Sequence, residues 1–317
     1  MKCLCCGKEI NPFDKGFNYN WHHRCIHNFF GTDEIPIVDI SKQSLKKIIE
    51  KQLDSKETVT GVQKKFSLHL LNTNSPRLTI VDHPTGYILK PQTDEYQNLP
   101  EIEFVSMRLA KICGISCVPF GLVKTKDDSF AYITKRIDRI FDNNGYKKLA
   151  MEDFCQLDER LTEDKYNGSY ERCGSIIHKY SEYAQFDLSE LFLRVVFSYI
   201  IGNNDMHLKN FSLISYEKGI YTLSPAYDLL AIKLVLKTDL DDLALTLHGK
   251  KRKQTKNDFI AFASSIGLND NAAKKIINSI INKKEKMLEV INDSILSGNL
   301  KEDYSSLIIN NISKLAK

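Results

Sequence analysis

Asp205 and Asn210 lie in the run Gly202-Asn203-Asn204-Asp205-Met206-His207-Leu208-Lys209-Asn210, and Asp228 follows in Ser224-Pro225-Ala226-Tyr227-Asp228. A carboxylate can accept a proton from an attacking hydroxyl, and an amide oxygen with a second carboxylate suits Mg²⁺. Phosphoryl transfer needs little covalent work from a protein; it needs positioning and neutralisation of phosphate charge. The Asp205-x-x-x-x-Asn210 interval is the one protein kinases use between their base and their metal-holding amide. Lys209, inside that interval, is placed to neutralise a transferring phosphoryl group. Upstream, Thr58-Val59-Thr60-Gly61-Val62-Gln63-Lys64-Lys65 offers a backbone loop for phosphates, and Lys90 closes the strand-like Tyr87-Ile88-Leu89. Glu103, just inside a helix opened by Pro100, is a candidate partner for Lys90. Each piece alone has a plainer reading: turn residues for Asp205 and Asn210, a helix cap for Asp228, a solvated strand end for Lys90, a helix-dipole complement for Glu103. Their joint occurrence in kinase order favours the chemical reading.

A second constellation is sulfur-rich. Cys3-x-x-Cys6 and His22-x-x-Cys25 place soft ligands in two pairs, with turn residues Gly7, Asn11-Pro12 and Lys15-Gly16 between them. Such a set suits tetrahedral Zn²⁺ and leaves no open position, so the metal would be structural. His23 can substitute for His22, and Cys5 is a spare thiol. The other cysteines, Cys113, Cys117, Cys155 and Cys173, are scattered through apolar patterns and read as small buried hydrophobes.

The elements that must position these groups follow from periodicity. Alternation predicts strands at Phe66–Leu70, Leu78–Val81, Tyr87–Lys90, Gly121–Lys124 and Phe130–Lys135, with one helix from Pro100 to Gly114. An amphipathic helix is suggested around Leu45 to Leu53. Asp187 with Glu190 reads as an N-terminal capping pattern for a long apolar helix that Gly202 ends. A strand–turn–strand from Phe211 to Leu223 and helices at Phe259–Ile266 and Ala272–Ile291 complete the second half. The expected fold is α+β and two-lobed, protein-kinase-like: a zinc knuckle at 1–31, a small β-rich N-lobe at 32–138, and a larger helical C-lobe at 139–317, with ATP between the lobes.

The chain has 317 residues, a net charge of +4 and 42% hydrophobic content, enough for two cores. The mild, interspersed charge gives no support for nucleic-acid binding as the main activity. The basic run Lys250, Lys251, Arg252, Lys253, Lys256 reads as a solvated loop. No apolar stretch is long enough to span a membrane, and the N-terminus lacks a signal-peptide layout, so a cytoplasmic protein is expected.

At Gly61-Val62-Gln63-Lys64-Lys65, and above all from Gly202 to Leu213, the sequence resembles the HipA family, the serine/threonine-kinase toxins of bacterial type II toxin–antitoxin systems. Further matches are Ile88-Leu89-Lys90-Pro91, Leu99-Pro100-Glu101-Ile102-Glu103-Phe104, Ile133-Thr134-Lys135-Arg136-Ile137-Asp138-Arg139, Met151-Glu152-Asp153-Phe154-Cys155-Gln156 and Pro225-Ala226-Tyr227-Asp228. The resemblance implies Asp205 as catalytic base, Mg²⁺ on Asn210 and Asp228, and ATP contacts from Gly61, Val62, Gln63, Lys65, Lys90 and His207. It implies a hinge against adenine and ribose at Lys135, Ile137 and Asp138, and autophosphorylation at Thr58 and Thr60, where similar loops often carry Ser. The short segment before residue 58 is more similar to HipT-type kinases, whose missing subdomain can be a separate small HipS-like protein. An aminoacyl-tRNA synthetase as substrate, a cognate antitoxin as partner and DNA contact only through that antitoxin are implied likewise. Two other readings share these residues: a small-molecule or lipid phosphotransferase, and a catalytically silent zinc-containing DNA-binding partner.

Overall fold

The computed structural model describes residues 1–38, 40–41, 43–45, 64–82, 84–142 and 145–316. The architecture is α+β, in two compact units: Met1–Phe104 with Val118–Lys147, and Val105–Cys117 with Lys148–Lys317. Much of the helix expected at Leu45 to Leu53 and the loop from Thr58 to Gln63 lie outside the described residues.

The first unit is built on a mixed sheet. Its strands are β1 (Ile37–Val38), β2 (Phe66–Leu71), β3 (Arg77–Val81), β4 (Tyr87–Pro91), β5 (Phe120–Lys124) and β6 (Phe130–Lys135). They lie in the order β1-β3-β2-β4-β6-β5. Only β1 pairs in parallel, with β3; the remaining pairs are antiparallel. Phe66 and Leu68 point into the core while Ser67 and His69 are half-covered, the alternation that fixes strand register. Strand β4 is internal, paired on one side to β2 and on the other to β6, with Lys90 opposite Tyr132. Lys90 therefore projects from one of the most constrained backbones in the unit.

Residues 1–31, expected to stand as a unit of their own, belong to this one. Helix α1 (His23–Phe30) ends on Gly31, whose φ of 74° is the left-handed conformation that terminates helices. The physical reason for the merger is Trp21, wholly buried, whose indole N–H donates to the Leu122 carbonyl of β5 at 3.0 Å. A segment this short has no core of its own and borrows one from the sheet.

Helix α2 (Leu99–Cys113) begins in the first unit and ends in the second. The second unit also holds a three-stranded sheet of β9 (Ala150–Asp153), β10 (Ser212–Glu217) and β11 (Ile220–Leu223), ordered β11-β10-β9. It precedes or flanks α3 (Phe154–Leu157), α4 (Tyr170–Tyr180), α5 (Ala184–Ile201), α6 (Lys256–Ser265), α7 (Asp270–Ile281), α8 (Lys284–Asn292) and α9 (Gly298–Ala316). A small ladder, β7 (Arg139–Asp142) with β8 (Gly145–Lys148), was not foreseen from periodicity, and neither was β9.

Two expectations need correction. Asp187 does not cap α5, which starts at Ala184; its buried carboxylate accepts from Leu223 N at 2.7 Å, Thr222 Oγ1 at 3.1 Å and Ser181 Oγ at 2.5 Å. It ties the helix to β11 instead. The helix expected over Ala272–Ile291 breaks at Asn282-Lys283, where the hydrogen bonding tightens to Lys283 N→Ile280 O and the chain restarts as α8. The basic run is largely solvated, as expected, with Lys250 paired to Asp258 at 2.8 Å and Arg252 to Asp241 at 2.5 Å. Among the described residues, no helix is long and apolar enough to cross a membrane.

Close packing of α4 depends on Gly174, where an added Cβ would lie 2.4 Å from Ile266 Cγ2. Gly174→Ala should destabilise the protein by about 1–3 kcal/mol through overpacking, read as a lower urea midpoint with unchanged slope.

Candidate active site

The polar loop after α5 starts at Gly202, whose φ of 73° stops the helix while its N–H reaches back to Ser198 and Tyr199. From there the backbone is held by side chains of the loop itself. Asn203 Oδ1 accepts from Asp205 N at 3.2 Å, and Asn210 Nδ2 donates to the Asp205 carbonyl at 2.9 Å. Asn204 Nδ2 reaches Asp241 O at 3.1 Å, and the buried Tyr170 hydroxyl donates to Met206 O at 3.1 Å. Asn203, Asn204 and Asn210 are all buried, so these bonds satisfy groups largely shut off from water. The Asp205 side chain is left half-exposed.

The Tyr166 hydroxyl donates to Asp205 Oδ1. Burial and the adjacent Asp205 charge push the Tyr166 pKa well above the ordinary tyrosine range, so it remains a donor. Its ring meets that of the buried His207 edge-on, with centroids 5.0 Å apart. Tyr166 was missed in the sequence because its partner lies far along the chain and no local pattern marks it. Lys209, expected to face a transferring phosphoryl group, instead forms an ion pair with Asp153 Oδ2 at 2.7 Å. The other Asp153 oxygen caps α3 at Gln156 N, 2.9 Å away, within a capping box. Pairing of β9 with β10 brings Asp153 opposite Ser212, which explains the meeting.

Asp228 is fixed from both sides. The Ser224 carbonyl accepts from Arg194 at 2.8 Å, Ala226 N donates to Ser116 O at 2.7 Å, and Ala231 N donates to Ser106 Oγ at 3.3 Å. Asp228 itself has φ 55°, a left-handed conformation uncommon outside glycine and asparagine-like residues. No helix follows it directly, so the capping alternative does not apply. The Tyr227 hydroxyl donates to the Lys209 carbonyl at 3.1 Å. Since Tyr227 precedes Asp228 and Lys209 precedes Asn210, one hydrogen bond joins the two chain segments of the candidate metal pair.

In the first unit, Lys90 Nζ lies 2.7 Å from Glu103 Oε1, and both side chains are buried. Lys90 also sits over the Tyr132 ring, 5.4 Å from its centroid. The partnership expected from sequence is present. Downstream, Lys135 is exposed and Ile137 half-buried. Asp138 is gripped by Arg136 at 2.9 and 2.8 Å and by Arg139 at 2.6 Å. Burial alone would raise its pKa; the Arg136 hydrogen bonds and the two guanidinium charges outweigh it and hold the carboxyl below the usual range. Lys65 is exposed, whereas Thr58, Thr60, Gly61, Val62 and Gln63 lie outside the described residues. In the same unit, ligand atoms of Cys3, Cys6, His22 and Cys25 all lie within 4.8 Å of one another.

Comparison with known proteins places the chain in a family. The profile of the HipA-like C-terminal domain matches residues 58–288. A Haemophilus influenzae protein named "Putative kinase" is 30% identical over 269 residues, covering 75% of this chain and 76% of that protein. Sinorhizobium fredii "Putative kinase Y4dM" is 33% identical over 186 residues, covering 55% of this chain and 44% of its own. The fold matches Shewanella oneidensis HipA, solved with HipB and operator DNA, at a TM-score of 0.72 and 20% identity over 87% of this chain and 71% of that one. It also matches the Helicobacter pylori proinflammatory kinase CtkA at 0.54 and 15% identity, over 75% and 90% respectively.

Breaking the Lys90–Glu103 pair from one side leaves a buried charge alone. Glu103→Ala should cost about 3–5 kcal/mol, and the double change Lys90→Met with Glu103→Leu should recover most of it, both measured by chemical denaturation.

Proposed function

Because the chain belongs to the HipA-like C-terminal domain family, we propose that it is an ATP-dependent serine/threonine protein kinase, the toxin of a type II toxin–antitoxin pair. The observation that carries this reading is the buried Lys90–Glu103 pair at 2.7 Å, the strand-lysine and helix-glutamate partnership that protein kinases use on ATP phosphates. Two fixed carboxylates and an amide in the second unit add the remaining groups.

In this reading Lys90, aimed by Glu103, binds phosphate oxygens of ATP. Asp205 accepts the proton of the acceptor hydroxyl as that oxygen bonds to the γ-phosphorus; the bond to the β–γ bridging oxygen breaks and ADP leaves. Tyr166 orients the Asp205 carboxylate. Asn210 and Asp228 would hold Mg²⁺: with Asn210 Nδ2 committed to Asp205 O, its Oδ1 is left as donor, and an all-oxygen set fits this hard cation. The ion would neutralise phosphate charge. Lys209 and Asp153 flank the same loop, and a phosphoryl group would compete with Asp153 for the ammonium.

The acceptor is proposed to be an aminoacyl-tRNA synthetase and, in cis, Thr58 or Thr60; a phosphate there adds about −1.5 to −2 charges beside the nucleotide and should weaken ATP binding. An antitoxin partner is supported by the Shewanella complex of HipA, HipB and operator DNA, and DNA is proposed to be reached only through that partner.

Labelled ATP tests the reaction. Wild type should transfer label to protein, and Asp205→Ala and Asp228→Ala should each lower the rate by about 10²–10⁴-fold. Tyr166→Phe should cause a smaller loss, in kcat rather than KM. Undiminished labelling in both aspartate variants, or label found only on a small molecule, would falsify the protein-kinase assignment.

A further inference from the structure

We infer that Cys3, Cys6, His22 and Cys25 bind one zinc ion, and that this ion clamps the N-terminal segment onto the sheet that carries Lys90. Tetrahedral zinc, with bonds of about 2.3 Å to sulfur and about 2.0–2.1 Å to nitrogen, sets its S and N ligand atoms about 3.6 Å apart. His22 Nδ1 stands 3.4 Å from Cys6 Sγ and 3.9 Å from Cys25 Sγ, on either side of that value. All the ligand atoms fall within 4.8 Å of one another, the size of one coordination shell.

Surrounding hydrogen bonds choose the ligands. His22 Nε2 lies 2.9 Å from the Glu9 carbonyl, which can only accept. The ring proton is therefore on Nε2, and the Nδ1 lone pair faces the sulfurs, as a metal requires. Cys3 Sγ accepts from the backbone N–H of Cys5 at 3.5 Å and of His22 at 3.4 Å, contacts that suit a thiolate. The two alternative ligands lie outside the four-residue set, although the Cys5 thiol also neighbours Cys25. Cys5 Sγ donates to Phe120 O at 3.8 Å, and His23 Nε2 lies 3.7 Å from Asp33 Oδ1.

The local chain is shaped for the task. Gly7, at φ 72°, turns the chain after Cys6, and its N–H returns to Cys3 O at 2.8 Å. Asp14 Oδ1 accepts from Gly16 N and His23 N, both at 2.8 Å, which sets the start of α1 against the first loop. With every position filled by protein the ion has no catalytic vacancy, so its role is mechanical.

What it holds is the sheet. Trp21, adjacent to ligand His22, donates to Leu122 O, and Leu122 N donates to the carbonyl of Leu4, adjacent to ligand Cys3, at 2.8 Å. Gly121 must lack a Cβ because one would stand 2.7 Å from the indole. At the far end of α1, Phe29 and Phe30 pack on Tyr87, with centroids 5.8 and 5.6 Å apart, and the Tyr87 hydroxyl donates to Phe29 O at 3.2 Å. Tyr87 is the first residue of the Lys90 strand.

The chain has one tryptophan, so Trp21 fluorescence reports on this contact alone. Elemental analysis of the full chain should give about one zinc per molecule. Replacement by Co²⁺ should give the intense tetrahedral d–d bands and thiolate charge transfer of a three-sulfur, one-nitrogen site. Cys25→Ser should lose the metal while Cys5→Ser keeps it. Stripping wild-type protein with a chelator should shift Trp21 emission to the red, and zinc should reverse it. Absence of stoichiometric zinc after reconstitution, or equal metal loss in Cys5→Ser, overturns the site. Zinc that leaves without moving Trp21 emission overturns the clamp. Phosphate transfer is not read, so the outcome stands apart from the kinase assignment.

Discussion

The loop from Gly202 to Phe211 must bury nearly all of its backbone while leaving one carboxylate within reach of solvent. Buried peptide groups without partners are costly, and water cannot supply them here. Two of its asparagines and two distant tyrosines meet that demand: Asn203 on Asp205 N, Asn210 on Asp205 O, Tyr170 on Met206 O and Tyr227 on Lys209 O, while Asn204 ties the loop to Asp241 O. The polar richness of this loop is thus chiefly scaffolding. Asp205 owes its position to the residues around it, and the left-handed Asp228 is held in register by the same Tyr227 bond.

The Lys90–Glu103 pair obeys a different balance. A buried ion pair seldom stabilises a fold more than apolar side chains of the same volume would, so its presence argues for a task other than stability. The Asp138 clamp is similar in kind: two guanidinium groups converge on one carboxylate. In both places charge sets direction, and the surrounding strands supply the rigidity.

Much of this was legible in the sequence where the signal is local or ordered. Period-two alternation marked β2 to β6 closely, the Gly202 stop marked the end of α5, and Pro100 marked the start of a helix carrying Glu103 toward Lys90. The paired cysteine and histidine spacings pointed to a cluster that the fold does assemble, with His22 in preference to His23. What escaped depends on partners distant in the chain. Asp187 looks like a cap from its neighbours, yet β11 claims it; Tyr166 and Asp153 carry no local mark of their bonds to Asp205 and Lys209. The break at Asn282-Lys283 interrupts a pattern whose hydrophobic period continues through it.

Strand β5 lies at the margin of its sheet, where outward backbone groups normally invite another chain to add itself. Here they are spoken for: Phe120 O by the Cys5 thiol, Leu122 N–H by Leu4, Leu122 O by the indole of Trp21. The opposite margin is only the two-residue β1. The sulfur-rich segment is in this respect a shield against self-association, and a chain whose first two dozen residues came loose would present an adhesive rail to its neighbours.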